Sequence, residues 1–238
     1  MPNNPRSAPK SEMYVTGEYL RKHQTWHSED SEWKAEQILK MVNNHNLMPR
    51  TICEVGCGAG GILRQMQANM AEDCTFVGYE ISPQAFELCK EHANKRLQFE
   101  LKDFTQETGV LFDLLICVDV IEHVEDYFGF LRNLRTKGRY KIFNIPLEFT
   151  SIGAARGWPR DSWDTLGHVH YFTKDTALQS LKDAGYTVVD HFYAREFDRT
   201  SSQSSSLILK LLRRAAFSLS PNLAVRLLGG CPLVILAE

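Results

Sequence analysis

The sequence predicts an α/β fold with a largely parallel sheet and helices on both faces. Short apolar segments alternate with amphipathic ones from residue 51 to residue 146, and a glycine-rich turn follows the first apolar segment. This alternation of strand and helix is typical of parallel sheets that are covered on both sides. With 238 residues, 43% of them hydrophobic, the chain is long enough for one substantial core.

The N-terminal part is predicted to be a tail followed by a helical cap. Residues 1–12 are polar and proline-rich, which is typical of disorder and unlike a signal peptide. Apolar residues then recur at helical spacing and predict a helix over 31–44. We therefore predict a cap over 13–48 and a sheet domain over 49–238.

Five strands separated by helices are predicted in the first part of the sheet domain. The strands are TICEV, CTFVGYE, LQFELKDF, FDLLICVDV and YKIFNIP. Pro83 stands near the first turn of the second helix, as helix starts allow. Gly138 is predicted to end the helix that begins at DYFGF.

The pattern changes after Pro146. Residues 147–171 show no clear period and predict an irregular insert over the carboxyl edge of the sheet. A helix capped by Thr173 and a strand follow. A helical insert is predicted over 205–230, and CPLVILAE closes the chain as a last strand.

Charge and cysteine content exclude several classes of protein. The formal net charge is −2 and the isoelectric point about 6.5, so no basic excess marks a nucleic-acid binder. The six cysteines form no CxxC pair and predict reduced core thiols in a cytoplasmic protein, not disulfides or a zinc site. No apolar run reaches transmembrane length.

The turn ICEVGCGAGGIL indicates that a ligand approaches the backbone closely. Gly56, Gly58 and Gly60 permit a tight turn, and the next helix offers free N–H groups. Ligands of open α/β sheets bind beyond the carboxyl ends of the strands, where Glu80 can accept hydrogen bonds from both hydroxyls of a ribose. The glycines also fit GxGxxG, so a nicotinamide or flavin site is an alternative.

Three features favour a ligand without a pyrophosphate. Glu54, two residues before the first glycine, would attract a cationic group and repel a pyrophosphate. Asp103 ends the third strand, where it can meet an adenine amino group, and Ile81 can pack on the adenine. The last helix and strands can form an antiparallel hairpin at the sheet edge.

The motifs EVGCGAG, GYEIS, LKDF and FDLLICVDVIEHVED, in this order, resemble the class I S-adenosylmethionine-dependent methyltransferases. The nearest branch includes the ubiquinone-biosynthesis O-methyltransferases and many sugar and natural-product enzymes. The resemblance covers roughly residues 50–146, and GHVHYFT and LQSLKDAGY are similar too. It implies a Rossmann-like seven-stranded sheet of order 3-2-1-4-5-7-6 with an antiparallel last strand.

The resemblance also implies S-adenosyl-L-methionine as the cofactor and methyl transfer to a small molecule, with a hydroxyl oxygen as the first choice of acceptor atom. The implied cofactor-binding residues are Glu54, Gly56, Cys57, Gly58, Gly60, Glu80, Ile81, Asp103, Phe104, Val118 and Asp119. Two alternatives stay open at this point: a nicotinamide-dependent oxidoreductase, and a methyltransferase-like binding protein without turnover.

Three histidines are candidates for a general base, because histidine accepts protons near neutral pH. His168 and His170 lie in the insert. The alternative to a catalytic role is that both rings form hydrogen bonds that only stabilise the fold. For His123 we favour a structural role over catalysis. Asp119, Glu122 and His123 can also hold a divalent metal, as similar residues do in some ubiquinone-pathway relatives, but the prediction includes no metal because a fourth ligand is not identified.

The expected partner is a small-molecule acceptor such as a sugar, a phenol or a natural-product intermediate. Nucleic acid is not expected, because DVIEH stands where amino-methylating relatives carry an Asn/Asp-Pro-Pro-aromatic loop. Trp158 and Trp163 either shape the acceptor site or pack at the surface, and Trp26 either closes the cofactor pocket or packs. The basic amphipathic helix at 207–219 is expected to pack on its own sheet in preference to a membrane, in a monomer or homodimer.

Overall fold

The structure, a computed structural model, describes residues 12–199 and 207–238. Within these residues, seven strands form one sheet surrounded by helices. The strands are β1 Thr51–Val55, β2 Thr75–Glu80, β3 Leu97–Leu101, β4 Phe112–Val118, β5 Gly138–Ile145, β6 Val188–Tyr193 and β7 Leu233–Ala237. The helices are α1 Glu12–Val15, α2 Glu18–Lys22, α3 Ser31–Asn44, α4 Gly61–Asn69, α5 Pro83–Cys89, α6 Tyr127–Leu134, α7 Ser151–Ala155, α8 Trp158–Thr165, α9 Lys174–Asp183, α10 Leu207–Leu219 and α11 Pro221–Leu228.

The strand order is β3-β2-β1-β4-β5-β7-β6, which confirms the predicted topology. The first five strands are parallel, and β7 runs antiparallel to both β5 and β6. Glu54 of β1 lies opposite Gly78 of β2 and Ile116 of β4, so these three strands end at the same edge. Their following loops therefore meet above the carboxyl ends of the strands.

Apolar side chains cover both faces of the sheet. One cluster joins α3 and α4 to the sheet through residues such as Ile38, Met41 and Leu63, which are fully buried. The other joins α6 and α9 to the opposite face through residues such as Leu131 and Leu181. All six cysteines are buried and unpaired, as predicted for reduced thiols.

Local signals set several helix boundaries, and the predicted range of α3 and the predicted roles of Pro83 and Thr173 agree with the structure. Helix α3 spans the predicted range. Ser82 accepts a hydrogen bond from the amide of Ala85 at the start of α5, and Pro83 is the first residue of that helix. Thr173 and Thr176 form a reciprocal capping box at the start of α9.

Two predictions about the middle of the chain were wrong. Gly138 does not end α6, which stops at Leu134; it is the first residue of β5, and a Cβ there would lie 2.8 Å from Cβ of Leu115. Residues 147–171 are not irregular throughout, because they contain α7 and α8. The Thr150 hydroxyl accepts from the amide of Gly153 and caps α7.

Two further predictions concern the ends of the chain. The predicted tail lies outside the described residues except for Glu12, which begins α1. Helix α10 forms as predicted, but its apolar face points to solvent instead of packing on the sheet, because Lys210 and Arg213 occupy the inner side. Within the described ranges, no helix is long and apolar enough to cross a membrane.

Candidate active site

A cavity of about 990 Å³ lies above the carboxyl ends of the strands. It extends from the glycine turn after β1, under the N-terminal helices, to the insert that contains α7 and α8. Ligand pockets usually measure roughly 300–1,000 Å³, so this cavity stands at the large end of that range. A space of this size can accept two ligands side by side.

The glycine turn is shaped by contacts that exclude side chains. Gly56 has φ of 72°, and a Cβ there would lie 2.7 Å from Cγ2 of Val120. A Cβ on Gly58, with φ of 53°, would lie 2.8 Å from the ring of Trp26. The third predicted residue, Gly60, does not line the cavity.

Two residues of the turn serve the packing beneath it. A Cβ on Gly60 would lie 2.7–2.8 Å from Phe99 and Cys89, so this glycine lets the turn sit close to β3 and α5. The thiol of Cys57 also points toward Cys89 and Gly78, and only the rest of the residue can face the cavity. Burial raises the pKa of the Cys57 thiol well above its usual range.

Glu80, at the end of β2, ties the turn to the neighbouring strand. Its Oε2 accepts from the amide of Gly58, and its Oε1 accepts from the amides of Ile81 and Ser82, each at 2.8 Å. Burial raises the pKa of Glu80 although these hydrogen bonds act to lower it. A carboxylate accepts about four hydrogen bonds, so capacity remains for a ligand hydroxyl.

The side chains after β3 are only partly available to a ligand. Asp103 uses Oδ1 to accept from the amide and hydroxyl of Thr105, which leaves Oδ2. The ring of Phe104 is 1% exposed and packs 4.7 Å from that of Tyr79, so it belongs to the core. Asp103, Phe104 and Ile81 all line the cavity, and of the three only Ile81 has an exposed side chain.

Buried charges meet at the end of β1. Oε2 of Glu54 has no hydrogen-bond partner within the described residues, and burial raises the pKa of Glu54 well above its usual range. Lys34 of α3 reaches the same cavity and forms an ion pair of 2.8 Å with Asp119. Burial acts to lower the pKa of Lys34, but the charge and hydrogen bond of Asp119 outweigh it and the pKa is raised.

Asp119 is held in an unusual backbone conformation. Its φ is +52°, which non-glycine residues rarely adopt outside functional sites and turns. Its Oδ1 accepts from the side-chain amide of Asn144, and its Oδ2 pairs with Lys34. Val118 precedes it, buried at the end of β4 and lining the cavity. The sequence singled out Asp119 but not Lys34 or Asn144.

The N-terminal helices close the cavity with aromatic rings. Tyr19 lies 4.9 Å from Tyr14 and 4.8 Å from Trp26 between ring centroids, and all three rings line the cavity. The hydroxyl of Tyr14 donates to the carbonyl of Leu166 at 2.5 Å, which joins this cap to the insert. Tyr14 carried no recognisable signal in the sequence.

Two predicted histidines meet at the far end of the cavity. His168 is buried, and its Nδ1 lies 2.6 Å from Oε2 of Glu148. In a neutral ring, donation from Nδ1 to the carboxylate places the free lone pair of His168 on Nε2. The ring of His123 lies 4.7 Å from that of His168, and burial together with His168 lowers the pKa of His123 to about 3.

His123 and Glu122 complete a buried cluster with His168. Because the single proton of the Tyr14 hydroxyl goes to Leu166, Nδ1 of His123 donates to Tyr14 at 2.8 Å. Both carboxylate oxygens of Glu122 are buried without a hydrogen-bond partner in the described part of the chain. Ligand atoms of Glu122, His123 and His168 all lie within 4.8 Å of one another.

The remaining candidates lie elsewhere. His170 does not line the cavity; its Nε2 donates to the carbonyls of Val124 and Glu125 at 3.0 and 3.1 Å, which supports its structural alternative. Trp158 lines the cavity, whereas Trp163 on the same helix does not. The acceptor side of the cavity is therefore built from residues of the insert, the cap and the loop after β4.

The family described as "Methyltransferase domain" matches residues 25–191 of the chain, which include the glycine turn, Glu80 and His168. The chain belongs to this family. This match confirms the predicted family, the class I S-adenosylmethionine-dependent methyltransferases. It rules against the alternative of a nicotinamide-dependent oxidoreductase.

Curated relatives of the methyltransferase act on different molecules. This chain is 35% identical over 95 residues to the mitochondrial ubiquinone biosynthesis O-methyltransferase of Schizosaccharomyces pombe. The match covers 37% of this chain and 34% of the relative. A ubiquinone biosynthesis O-methyltransferase of Methylobacterium sp. is 27% identical over 157 residues, 59% of this chain and 61% of the relative. A tRNA U34 carboxymethyltransferase of Wolinella succinogenes is 25% identical over 171 residues, covering 68% and 61%.

The chain spans about a third of the length of the Schizosaccharomyces pombe relative, 34%. Among solved structures, magnesium protoporphyrin IX methyltransferase from Synechocystis, with bound S-adenosylhomocysteine, superposes with a TM-score of 0.61 at 14% identity over 96% of both chains. An N-methyltransferase from Bradyrhizobium japonicum gives 0.55 at 16% identity, over 86% and 84%. These structures share the fold of the methyltransferase.

Proposed function

We propose that this methyltransferase moves a methyl group from S-adenosylmethionine to a hydroxyl oxygen of a small molecule. One observation carries the proposal: a single cavity joins the glycine turn and Glu80 to the paired side chains of His168 and Glu148. The first end has groups suited to the cofactor, and the second has a histidine suited to accepting a proton.

In the proposed complex, each part of the cofactor meets a complementary group. The amino group of its methionine end lies near Glu54, whose buried Oε2 thereby gains a partner, and its carboxylate lies near Lys34. A ribose hydroxyl donates to Glu80, and the adenine lies between Ile81 and Asp103. Val118 and Asp119 flank the sulfonium, and Trp26 covers it from the N-terminal side.

The sulfonium is already an activated methyl donor, so the protein mainly has to align the acceptor. The acceptor oxygen forms a bond to the methyl carbon while the carbon–sulfur bond breaks, and S-adenosylhomocysteine leaves. Alignment of the two reactants supplies on the order of 7–11 kcal/mol. Nε2 of His168 takes the hydroxyl proton, and Glu148 stabilises the imidazolium, which adds roughly 10²- to 10⁴-fold.

Methyl transfer from radiolabelled S-adenosylmethionine tests this function. The acceptor panel contains catechols, other phenols and sugars, with transfer RNA and NADH binding as controls for the classes that we do not expect. We expect transfer to a hydroxylated acceptor that is lost in His168→Gln. Cofactor binding without transfer to any acceptor would support the alternative of a binding protein without turnover.

The cluster of Glu122, His123 and His168 favours a second candidate, an O-methyltransferase assisted by a divalent cation. The cluster fits a cation because both oxygens of Glu122 lack partners among the described residues and His123 is held neutral. Two histidines and one carboxylate are donors suited to zinc or a first-row transition metal, and Glu148 would orient His168 from behind. A cation bound here would polarise the acceptor oxygen.

Metal analysis separates the two candidates. If His168 acts as a base alone, the purified protein holds no stoichiometric metal and chelators leave methyl transfer unchanged. If the cluster binds a cation, Glu122→Gln lowers both the metal content and the transfer rate while S-adenosylmethionine affinity stays the same.

A further inference from the structure

The outward face of α10 and α11 is an extended apolar surface. Large apolar side chains on these two consecutive helices are 43–89% exposed. They are Leu207, Ile208, Leu211, Leu212, Leu219, Leu223 and Leu227. Contiguous exposed apolar surfaces of this kind mark contact sites, because isolated exposed leucines are common but clusters on one face are not.

Contacts on the inner side fix the orientation of α10. The guanidinium of Arg213 donates twice to the carbonyl of Leu228, at 2.9 and 3.2 Å. The ring of Phe217 packs against those of Tyr193 and Phe197 at about 6 Å. These hydrogen bonds and ring contacts therefore hold one side of α10 against the rest of the protein, and the leucine-rich side faces outward.

The charged side chains around this apolar face indicate which class of partner it can bind. Helices α10 and α11 carry four cations and no carboxylate side chain; two of the cations, Lys210 and Arg213, lie on the inner side. Arg214 and Arg226 flank the apolar face and are more than half exposed, although each pairs with an aspartate of a neighbouring element. Apolar side chains flanked by cations match a lipid surface with anionic headgroups.

A second copy of the chain matches this face less well. A two-fold dimer would bring the same patch of both subunits together. Neither helix carries a carboxylate, so α10 and α11 of one copy would offer no further ion-pair partner to Arg214 and Arg226 of the other. A bilayer offers both the apolar interior and the negative charge.

We propose that the outward face of α10 and α11 binds the surface of a membrane that contains anionic lipids. With 13 residues, α10 is about 20 Å long and would lie in the plane of the headgroups. Its Leu209 and Arg213 also line the cavity. On the proposed function, a hydroxylated acceptor carried in the bilayer would therefore stand beside the cavity.

Cosedimentation of the full chain with vesicles tests the proposal. We expect binding to vesicles of phosphatidylcholine mixed with phosphatidylglycerol, weaker binding at high salt, and little binding to phosphatidylcholine alone. The double variant Leu211→Glu/Leu212→Glu should weaken binding by roughly tenfold or more, because two inserted leucines become charged. The matched control Met48→Glu/Leu111→Glu makes the same changes at exposed apolar residues near the amino ends of β1 and β4 and should bind like the wild type.

Calorimetric titration with S-adenosylmethionine shows that both double variants are folded. Equal lipid binding by wild type and Leu211→Glu/Leu212→Glu would overturn the proposal. So would a wild-type dimer that this variant converts to a monomer without any vesicle binding, since a second copy would then cover the face. Vesicle binding does not need methyl transfer, so a failure of the proposed function would leave this result standing.

Discussion

The two ends of the cavity are built in different ways. At the cofactor end, the hydrogen bonds that shape the glycine turn join Glu80 to the amides of Gly58, Ile81 and Ser82, and the side chains of Lys34 and Asp119 are added to this local frame from elsewhere in the chain. At the acceptor end, Tyr14, His123, Glu148 and His168 converge from the cap, the loop after β4 and the two ends of the insert. The comparison teaches that a site made of backbone is encoded locally, whereas a site made of side chains depends on distant elements meeting.

The largest expected effect tests whether the acceptor end acts only in the chemical step. His168→Gln should lower kcat by roughly 10²- to 10⁴-fold, because it removes the proton acceptor, and leave the Kd for S-adenosylmethionine unchanged. Single-turnover methyl transfer and calorimetry measure the two quantities. His170→Gln is the matched control and should change neither, since its ring bonds backbone carbonyls outside the cavity. A weaker Kd in His168→Gln would mean that the two ends are not independent.

Glu80→Ala tests the cofactor end. Loss of a charge-assisted hydrogen bond to a ribose hydroxyl should weaken S-adenosylmethionine binding by roughly 10- to 100-fold. Thermal unfolding should show that the fold survives, although the amide of Gly58 loses its acceptor. Glu100→Ala on β3, an exposed glutamate, is the control and should bind normally. Unchanged affinity in Glu80→Ala would refute the assignment of Glu80 to the ribose.

A pair of glycines separates backbone strain from close packing in the cofactor turn. Gly56 and Gly109 share φ of 72°, but their surroundings differ. A Cβ on Gly56 would meet Val120, whereas a Cβ on Gly109 would have no atom of the described residues within 4 Å. We expect Gly109→Ala to cost about 1 kcal/mol of unfolding free energy and Gly56→Ala about 1–3 kcal/mol more. Urea unfolding measures both.

A second substitution, at Val120, tests the steric part of the comparison between Gly56 and Gly109. Val120→Ala in the Gly56→Ala background should recover part of the steric loss, because it removes the methyl group that the new Cβ would meet. Equal losses in Gly56→Ala and Gly109→Ala would show that only φ, and not the approach of Val120, requires glycine.

The smallest effect concerns Lys34, a side chain from the cap that serves the cofactor end. Lys34→Gln should weaken S-adenosylmethionine binding roughly tenfold, because the methionine carboxylate loses a charged partner. The affinity for decarboxylated S-adenosylmethionine should stay the same, since that analogue lacks the carboxylate. Equal losses for both ligands in calorimetric titration would indicate that Lys34 acts only by holding Asp119.

The amino-acid sequence by itself determined the alternation of strands and helices, the helix α3, the start of α5 at Pro83, the cap of α9 and the glycine turn. The strand order was implied by the resemblance to a known family. Hydrophobic periodicity, capping side chains and glycines at positive φ act over a few residues, so they can be recognised without the fold. The roles of Gly60 and Gly138 could not be recognised, since Phe99, Cys89 and Leu115 approach them only after the sheet has assembled.

Tertiary structure alone decided which side chains share the cavity and which way α10 faces. Lys34, Tyr14 and Glu148 reach the site from elements far apart in the chain, and no local pattern distinguishes them from surface residues. The periodicity of α10 predicted an apolar face but not its direction. That direction depends on the partners of Arg213 and Phe217 on neighbouring elements, because a helix carries the same pattern whichever side it turns to the protein.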